Sequence, residues 1–373
     1  MTTPNLFTPL TLGGLSLSHR VVMPPLTRMR ATMPGNVANA MMARYYGQRA
    51  SRGGLIICEA SQVTPEGRGA PCTPGIHTDE QVAGWRGVTD AIHAQGGFAY
   101  LQLWHMGRLS HPAYQPDGGP PLAPSAVMAK GQVLLPDYRR EPFPMPRALE
   151  TSEIPGVVAS YAHAAHNALA AGFDGVEIHS ANGYLLEQFL QSRTNLRTDA
   201  YGGSIAGRCR LVLEIVEAVS GVWGAGRVGI RLSPYGIAND SGEADPMPLY
   251  THLIGELDRF GLAYLHLIEP RASGAGQAEV DHKDVPSAAR LFRPLWRSAL
   301  IAAGNFRAEG AQAIIAAGDA DAVAFGRLFT SNPDLPERLR TGAELTPYNR
   351  ATFYSPGPAG YVDFPRMDGS PAD

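Results

Sequence analysis

Eight short apolar runs recur along the chain, each followed by a helix-length stretch, and this alternation limits the fold more than any other feature. The runs span residues 21–26, 55–60, 98–103, 175–179, 228–234, 264–268, 299–304 and 322–327. The stretches 38–50, 79–95, 153–171, 205–222, 248–260, 285–296, 308–317 and 334–340 read as helices. In the third of these, Val158, Ala162, Ala165 and Leu169 recur at helical spacing, with Ser152 as candidate N-cap and Gly172 as stop. A strand that returns through a helix must pair in parallel, and eight such units close a barrel. The expectation is an α/β fold, a (β/α)8 TIM barrel, with an open doubly wound sheet as the rival. Length alone suggests two or three domains, but barrels reach 373 residues as one unit, so residues 1–373 are expected to form a single domain.

Composition removes several function classes. A 44% hydrophobic share excludes a disordered chain, and a net charge of −3 without a basic block argues against nucleic acid or an anionic membrane as partner. No apolar run is long enough to span a bilayer, and the opening Met-Thr-Thr-Pro-Asn lacks the pattern of a signal peptide. Cys58, Cys72 and Cys209 are odd in number and widely spaced, which fits a reduced cytoplasmic protein without disulfides or a metal site.

Two segments stand outside the repeat. Residues 7–20, with Gly13-Gly14 at a turn, predict a hairpin that plugs the bottom of the barrel. The Pro- and Gly-rich stretch 105–147 follows the third strand and is long enough to be a lid.

Barrel chemistry sits where strands end. Polar residues occur there in register: Thr27, Glu59, Gln102, His179, Arg231, Asn305 and Arg327. Gly304-Asn305 and Gly326-Arg327 close the last two units, where a barrel often holds a phosphate and where glycine lets backbone approach an anion. Thr27, Gln102 and Arg231 suit a planar, amide-bearing ligand that gains negative charge, and a flavin attached to the phosphate is such a ligand. Alternatively, a buried Arg231 pairs with Glu177, which strand parity puts on the same side as His179. In His179-Ser180-Ala181-Asn182-Gly183-Tyr184, the His and Asn are three apart and one turn aims both at a single oxygen, while Tyr184 offers a weak acid.

These motifs carry a resemblance. The chain resembles the old yellow enzyme family, flavin-dependent ene reductases, from about Leu6 to Pro365. Shared pieces include Met23-Pro24-Pro25-Leu26-Thr27-Arg28, Gln102-Leu103-Trp104-His105, the run from Gly172 to His179, and the run from Asn195 to Ser204. Asp321-Ala322-Val323-Ala324-Phe325-Gly326-Arg327 and Thr352-Phe353-Tyr354 complete the set. The resemblance implies FMN, with Pro25, Leu26, Thr27, Ala60, Gln102, His179 and Arg231 around the ring and Gly304, Asn305, Gly326 and Arg327 on the phosphate. It implies NADPH or NADH as hydride donor, His179 and Asn182 as holders of the substrate's activating group, Tyr184 as proton donor, and Trp104 and Tyr354 as cavity walls. Thr27 resembles the threonine branch of the family. Pro24 and Ala70 depart from it, where many relatives have alanine and several have tyrosine, and both bear on substrate range.

The expected reaction is reduction of an activated C=C bond in an α,β-unsaturated carbonyl or nitro compound. Cleavage of nitrate esters or reduction of nitroaromatics fits the same site. A phosphate-binding lyase or aldolase needs a lysine at the reacting carbonyl, yet the only lysines, Lys130 and Lys283, read as loop residues. A metal-dependent hydrolase needs ligand clusters, and His163 with His166 reads as a surface pair. A flavin sensor would have no need of Tyr184.

Overall fold

The structure is a computed structural model and describes residues 4–270 and 287–372. Strands β1 (Leu10–Leu12) and β2 (Leu15–Leu17) form the expected hairpin, antiparallel with Leu12 opposite Leu15. Its turn needs glycine: Gly13 has φ +53°, and a Cβ there would sit 2.0 Å from the Gly226 carbonyl oxygen. Strands β3 (Val21–Met23), β4 (Leu55–Gln62) and β5 (Phe98–Trp104) follow. The excursion holds β6 (Leu122–Ala123), β7 (Gln132–Leu134), β8 (Arg140–Pro142) and β9 (Arg147–Ala148), in which β7 and β8 make a second hairpin. The remaining strands are β10 (Gly175–Ser180), β11 (Val228–Leu232), β12 (Tyr264–Ile268), β13 (Ala299–Ala303) and β14 (Ala322–Ala324).

Strands β3, β4, β5 and β10 to β14 close an all-parallel barrel, with β14 pairing back onto β3. The helices are α1 (Ala40–Arg49), α2 (Asp79–Ala94), α3 (Ile154–Ala170), α4 (Leu185–Leu190), α5 (Ile205–Trp223), α6 (Pro246–Asp258), α7 (Ala288–Phe292), α8 (Ala308–Ala316), α9 (Gly326–Ser331) and α10 (Leu335–Thr341). The barrel expectation therefore holds, and the open sheet is excluded by closure.

The interior is built in layers. Leu12, Leu15 and Leu17 of the hairpin pack with Val22, Leu55, Ile57 and Ile301 at the floor, so the hairpin is the plug. Above it, Tyr100 and Tyr264 lie with ring centroids 5.7 Å apart. Gly175 and Gly229 make room for them: a Cβ at either would come within 2.3 Å and 2.2 Å of the Tyr100 and Tyr264 rings, respectively.

Several local expectations are corrected. Ser152 is not the cap of α3; a 3-10 turn at Thr151–Glu153 precedes the helix, and Glu150 and Glu153 cap each other reciprocally. The buried face of α3 is Ile154, Tyr161, Ala164, Ala165 and Ala168, while Leu169 is 48% exposed. Alanines outnumber large residues on that helix, so spacing alone left the face one position out. Gly172 does stop it, at φ +84°. The first strand ends at Met23 and the last at Ala324, because Gly326–Ser331 coils into a helix that the apolar run concealed. The stretch 285–296 is described from residue 287, as α7 and a 3-10 turn; Lys283 lies outside the described residues.

Ser204 caps α5 as expected, accepting from Gly207 N–H at 3.1 Å. His163 and His166 are both exposed. The three cysteines are free thiols. Among the described residues no helix is long and apolar enough to cross a membrane, and no three His, Cys, Asp or Glu side chains group as metal ligands would.

Candidate active site

The strand ends open into one cavity of about 1180 Å³, more than a drug-sized ligand normally fills. Pro25, Leu26 and Thr27 border it after β3, Ala60 at the end of β4, and Gln102 and Trp104 at the end of β5. His179, Asn182 and Tyr184 enter from β10 and the loop after it, and Arg231 enters from β11. Gly304, Asn305, Gly326 and Arg327 reach it after β13 and β14, and Tyr354 comes from the C-terminal segment. All of these border the same space, whereas Glu59 and Glu177 do not line it.

Local geometry explains how each is held. Between β4 and β5 the register shifts from Cys58 to Ser61, so Glu59 and Ala60 sit on a bulge opposite Gln102. Gln102 Nε2 donates to Glu177 Oε1 at 2.7 Å, and His266 Nδ1 donates to Glu177 Oε2 at 2.8 Å. Burial holds the His266 pKa below its ordinary value, against the pull of Glu177. Glu177 is thus engaged from β5 and β12, and no Arg231–Glu177 bond forms in place of a ligand contact. Arg231 is half-buried, and its Nε is buried with no hydrogen-bond partner. So are His179 Nδ1 and Trp104 Nε1. Orphaned polar atoms are costly in a dry interior, and three of them around one cavity fit a polar ligand there.

The loop after β13 presents backbone at unusual angles. Gly304 has φ +130° and Asn305 φ +54°, and a Cβ on Gly326 would come within 3.2 Å of Leu26. The Gly304-Asn305 turn is therefore shaped for close approach of backbone to a ligand, and Gly326 makes room for Leu26. Arg327 Nη1 lies 3.3 Å from Tyr348 OH and borders the cavity.

On the opposite side of the barrel mouth, three rings cluster. Tyr184 meets Trp104 edge-on at 5.0 Å and His179 at 4.8 Å. Burial, reinforced by Arg231 and His266, pushes the His179 pKa well below its ordinary value, so the imidazole is neutral. Burial likewise pushes the Tyr184 hydroxyl up, against a hydrogen bond from Asn239, so it keeps its proton at neutral pH. Asn182 sits at φ +57°, its carbonyl taking a bond from Asn239 Nδ2 at 2.9 Å.

Some participants were not singled out in the sequence. Asn239 touches both the Asn182 carbonyl and Tyr184, but it lies on a long loop after β11 where no periodicity marks it. His266 follows Tyr264 on the inward parity of β12, and that alternation could have found it. Val133 and Phe143 of the excursion wall the cavity, as do Arg140 and Ala70. Arg28 holds Tyr354 in place indirectly: its guanidinium donates to the carbonyls of Phe353 at 3.0 Å and Gly360 at 2.8 Å.

Comparison with known proteins now decides the family. The model of the NADH:flavin oxidoreductase / NADH oxidase family matches residues 5–346. The chain belongs to this family. It is 44% identical to 12-oxophytodienoate reductase 1 of Oryza sativa subsp. japonica, over 97% of this chain and 93% of that protein. Its fold superposes on morphinone reductase in complex with tetrahydroNAD with a TM-score of 0.90 at 50% identity, covering 97% of this chain and 98% of that one. An old yellow enzyme homologue from Zymomonas mobilis gives 0.91 at 39% identity, over 97% and 99%. The old yellow enzyme resemblance drawn from the motifs is thereby met. As a family member the chain is an NAD(P)H-dependent flavin oxidoreductase with FMN as cofactor.

Proposed function

We propose that this chain, as one domain acting in the cytoplasm, reduces the activated C=C bond of α,β-unsaturated carbonyl or nitro compounds. When bound, FMN would supply the hydride chemistry that links NADH or NADPH to the substrate's β-carbon. Pro25, Leu26, Thr27, Ala60, Gln102, His179 and Arg231 hold the ring, and the fixed charge of Arg231 favours negative charge beside it. Gly304, Asn305, Gly326 and Arg327 hold the phosphate.

His179 and Asn182 hold the substrate's carbonyl or nitro oxygen and stabilise the charge that develops there. Tyr184 gives its proton to the α-carbon. Trp104 and Tyr354 confine the substrate. The observation that carries this reading is the meeting, at one side of the cavity, of neutral His179 and Asn182 with a tyrosine whose proton burial retains.

The test is an absorption spectrum of the purified protein under anaerobic conditions. Flavin bands should bleach with NADH or NADPH and return with 2-cyclohexenone. Bleaching without return would overturn the alkene reading; absence of flavin bands after incubation with FMN would overturn the cofactor placement.

A further inference from the structure

Asn182 is linked through Ser233 to a buried carboxylate that does not border the cavity. Asn182 and Gly183 occupy consecutive left-handed conformations, φ +57° and +79°, a pair that needs outside support because Asn pays for positive φ. Glu187, in the first turn of α4 and fully buried, provides it. Its Oε2 accepts Gly183 N–H at 2.5 Å. Its Oε1 accepts the Ser233 hydroxyl at 2.6 Å and the Tyr250 hydroxyl at 2.9 Å. Ser233 Oγ in turn accepts Asn182 N–H at 2.8 Å. One carboxylate thereby fixes both backbone N–H groups of the turn, one directly and one through a serine after β11. The neighbouring Gln188 takes the other side, donating to the Gly183 carbonyl at 2.7 Å.

A helix cap would need only the Gly183 bond. Enlisting Ser233 and Tyr250, from the β11 end and α6, goes beyond capping. We propose that Glu187 is a positioning residue for the reaction, acting through Ser233 and Gly183 to aim the Asn182 amide at the substrate oxygen; this rests on the role given to Asn182 above. Glutamine at 187 keeps the volume but offers one acceptor oxygen. The Gly183 N–H cannot turn away, so the amide NH2 faces Ser233 and Tyr250, and the Ser233 hydroxyl loses the acceptor that orients it toward Asn182.

The experiment compares E187Q, S233A, N182A and the double variants E187Q/N182A and S233A/N182A, each with its FMN content measured. One readout is the Kd of p-chlorophenol, whose phenolic oxygen probes the polarising donors, followed by perturbation of the flavin spectrum. The other is kcat/KM for 2-cyclohexenone. E187Q and S233A should retain FMN, bind the phenol about 10–100-fold more weakly and lose a similar factor in kcat/KM, as is usual for residues that orient a contacting group. In the N182A background neither should cost anything further. S233T, which restores a hydroxyl, should recover most of the S233A loss. Wild-type values in both single variants, or an unchanged penalty in the N182A background, would overturn the proposal. A normal N182A would instead remove Asn182 from the reaction. If E187Q does not fold, S233A alone decides, since it leaves the carboxylate bonded to Gly183 and Tyr250.

Discussion

Burial acts in opposite directions on the charge of His179 and Tyr184 and leaves both neutral. It strips the proton from an imidazole and keeps the proton on a phenol, which suits the two adjacent rings to the proposed roles of polarising group and acid. Tyr184→Phe keeps the edge-on packing with Trp104 and His179 and removes only the proton. FMN binding and reduction by NADH should survive, while reoxidation by cyclohexenone in stopped flow should slow by ~10²–10⁴-fold, the usual range for a general acid. A nitrostyrene should be affected less, because the nitro group holds the charge until water delivers a proton; equal slowing with both substrates would make Tyr184 a wall and not an acid. Arg231 poses a different question, since its Nε is buried without a partner. Arg231→Ala removes a fixed positive charge from the proposed ring site and should lower the flavin reduction potential, measured against a reference dye. Arg231→Lys should recover only part of it, because an ammonium lacks the planar fork. An unchanged potential in the alanine variant would place the ring elsewhere.

At the scale of elements, strands were read more reliably than the turns that finish them. The runs at 264–268 and 98–103 match β12 and β5 to within a residue, because a strand buried on both faces is a continuous apolar run. The last apolar run extends through residue 327, yet Gly326 starts α9, since Phe325-Gly326-Arg327 has no cap that tells strand from helix. In the same way, the strand-end residues His179, Gln102 and Arg231 were legible from parity and position. Glu187, Ser233 and Asn239 were not, because their partners lie 46 to 63 residues away in sequence and only the closed barrel brings them together. Glycines within strands carried more than a turn signal. Gly229 is flat space for Tyr264, so Gly229→Ala forces a Cβ into the ring at 2.2 Å and should destabilise the barrel by about 1–3 kcal/mol through overpacking. Chemical denaturation of the FMN-loaded protein would measure it. Combining the change with Tyr264→Leu should recover part of the loss, and no recovery would mean that the strain lies in the backbone.

Across the whole molecule, the buried ionisable groups set how the fold responds to acid. Burial lowers His19 and His105 to about 4 and also holds His77, His179 and His266 below their ordinary value. Below 6.5 the unfolded chain therefore binds protons at these histidines that the native state refuses, down to about 4 at His19 and His105, and stability present above 6.5 is lost as pH falls. Burial raises Glu59 and Glu187 to about 7, which acts the other way: from about 7 down to 4.5 the native state binds protons the unfolded chain does not, and stability is gained. Five histidines oppose two carboxylates in that window, so the melting temperature with saturating FMN should fall from pH 7 to pH 5. Glu59→Gln isolates one opposing contribution. Its amide oxygen still accepts Arg28 N–H, a 3.1 Å bond in the native chain, and its NH2 can donate to the Tyr46 oxygen, so the packing survives without a titrating group. Relative to the native chain, the variant should be more stable at pH 8, where native Glu59 is ionised at a cost, and should lose that advantage by pH 5. Its melting temperature should therefore decline more steeply with acid. Parallel curves for the two proteins would show that Glu59 does not change protonation in this range.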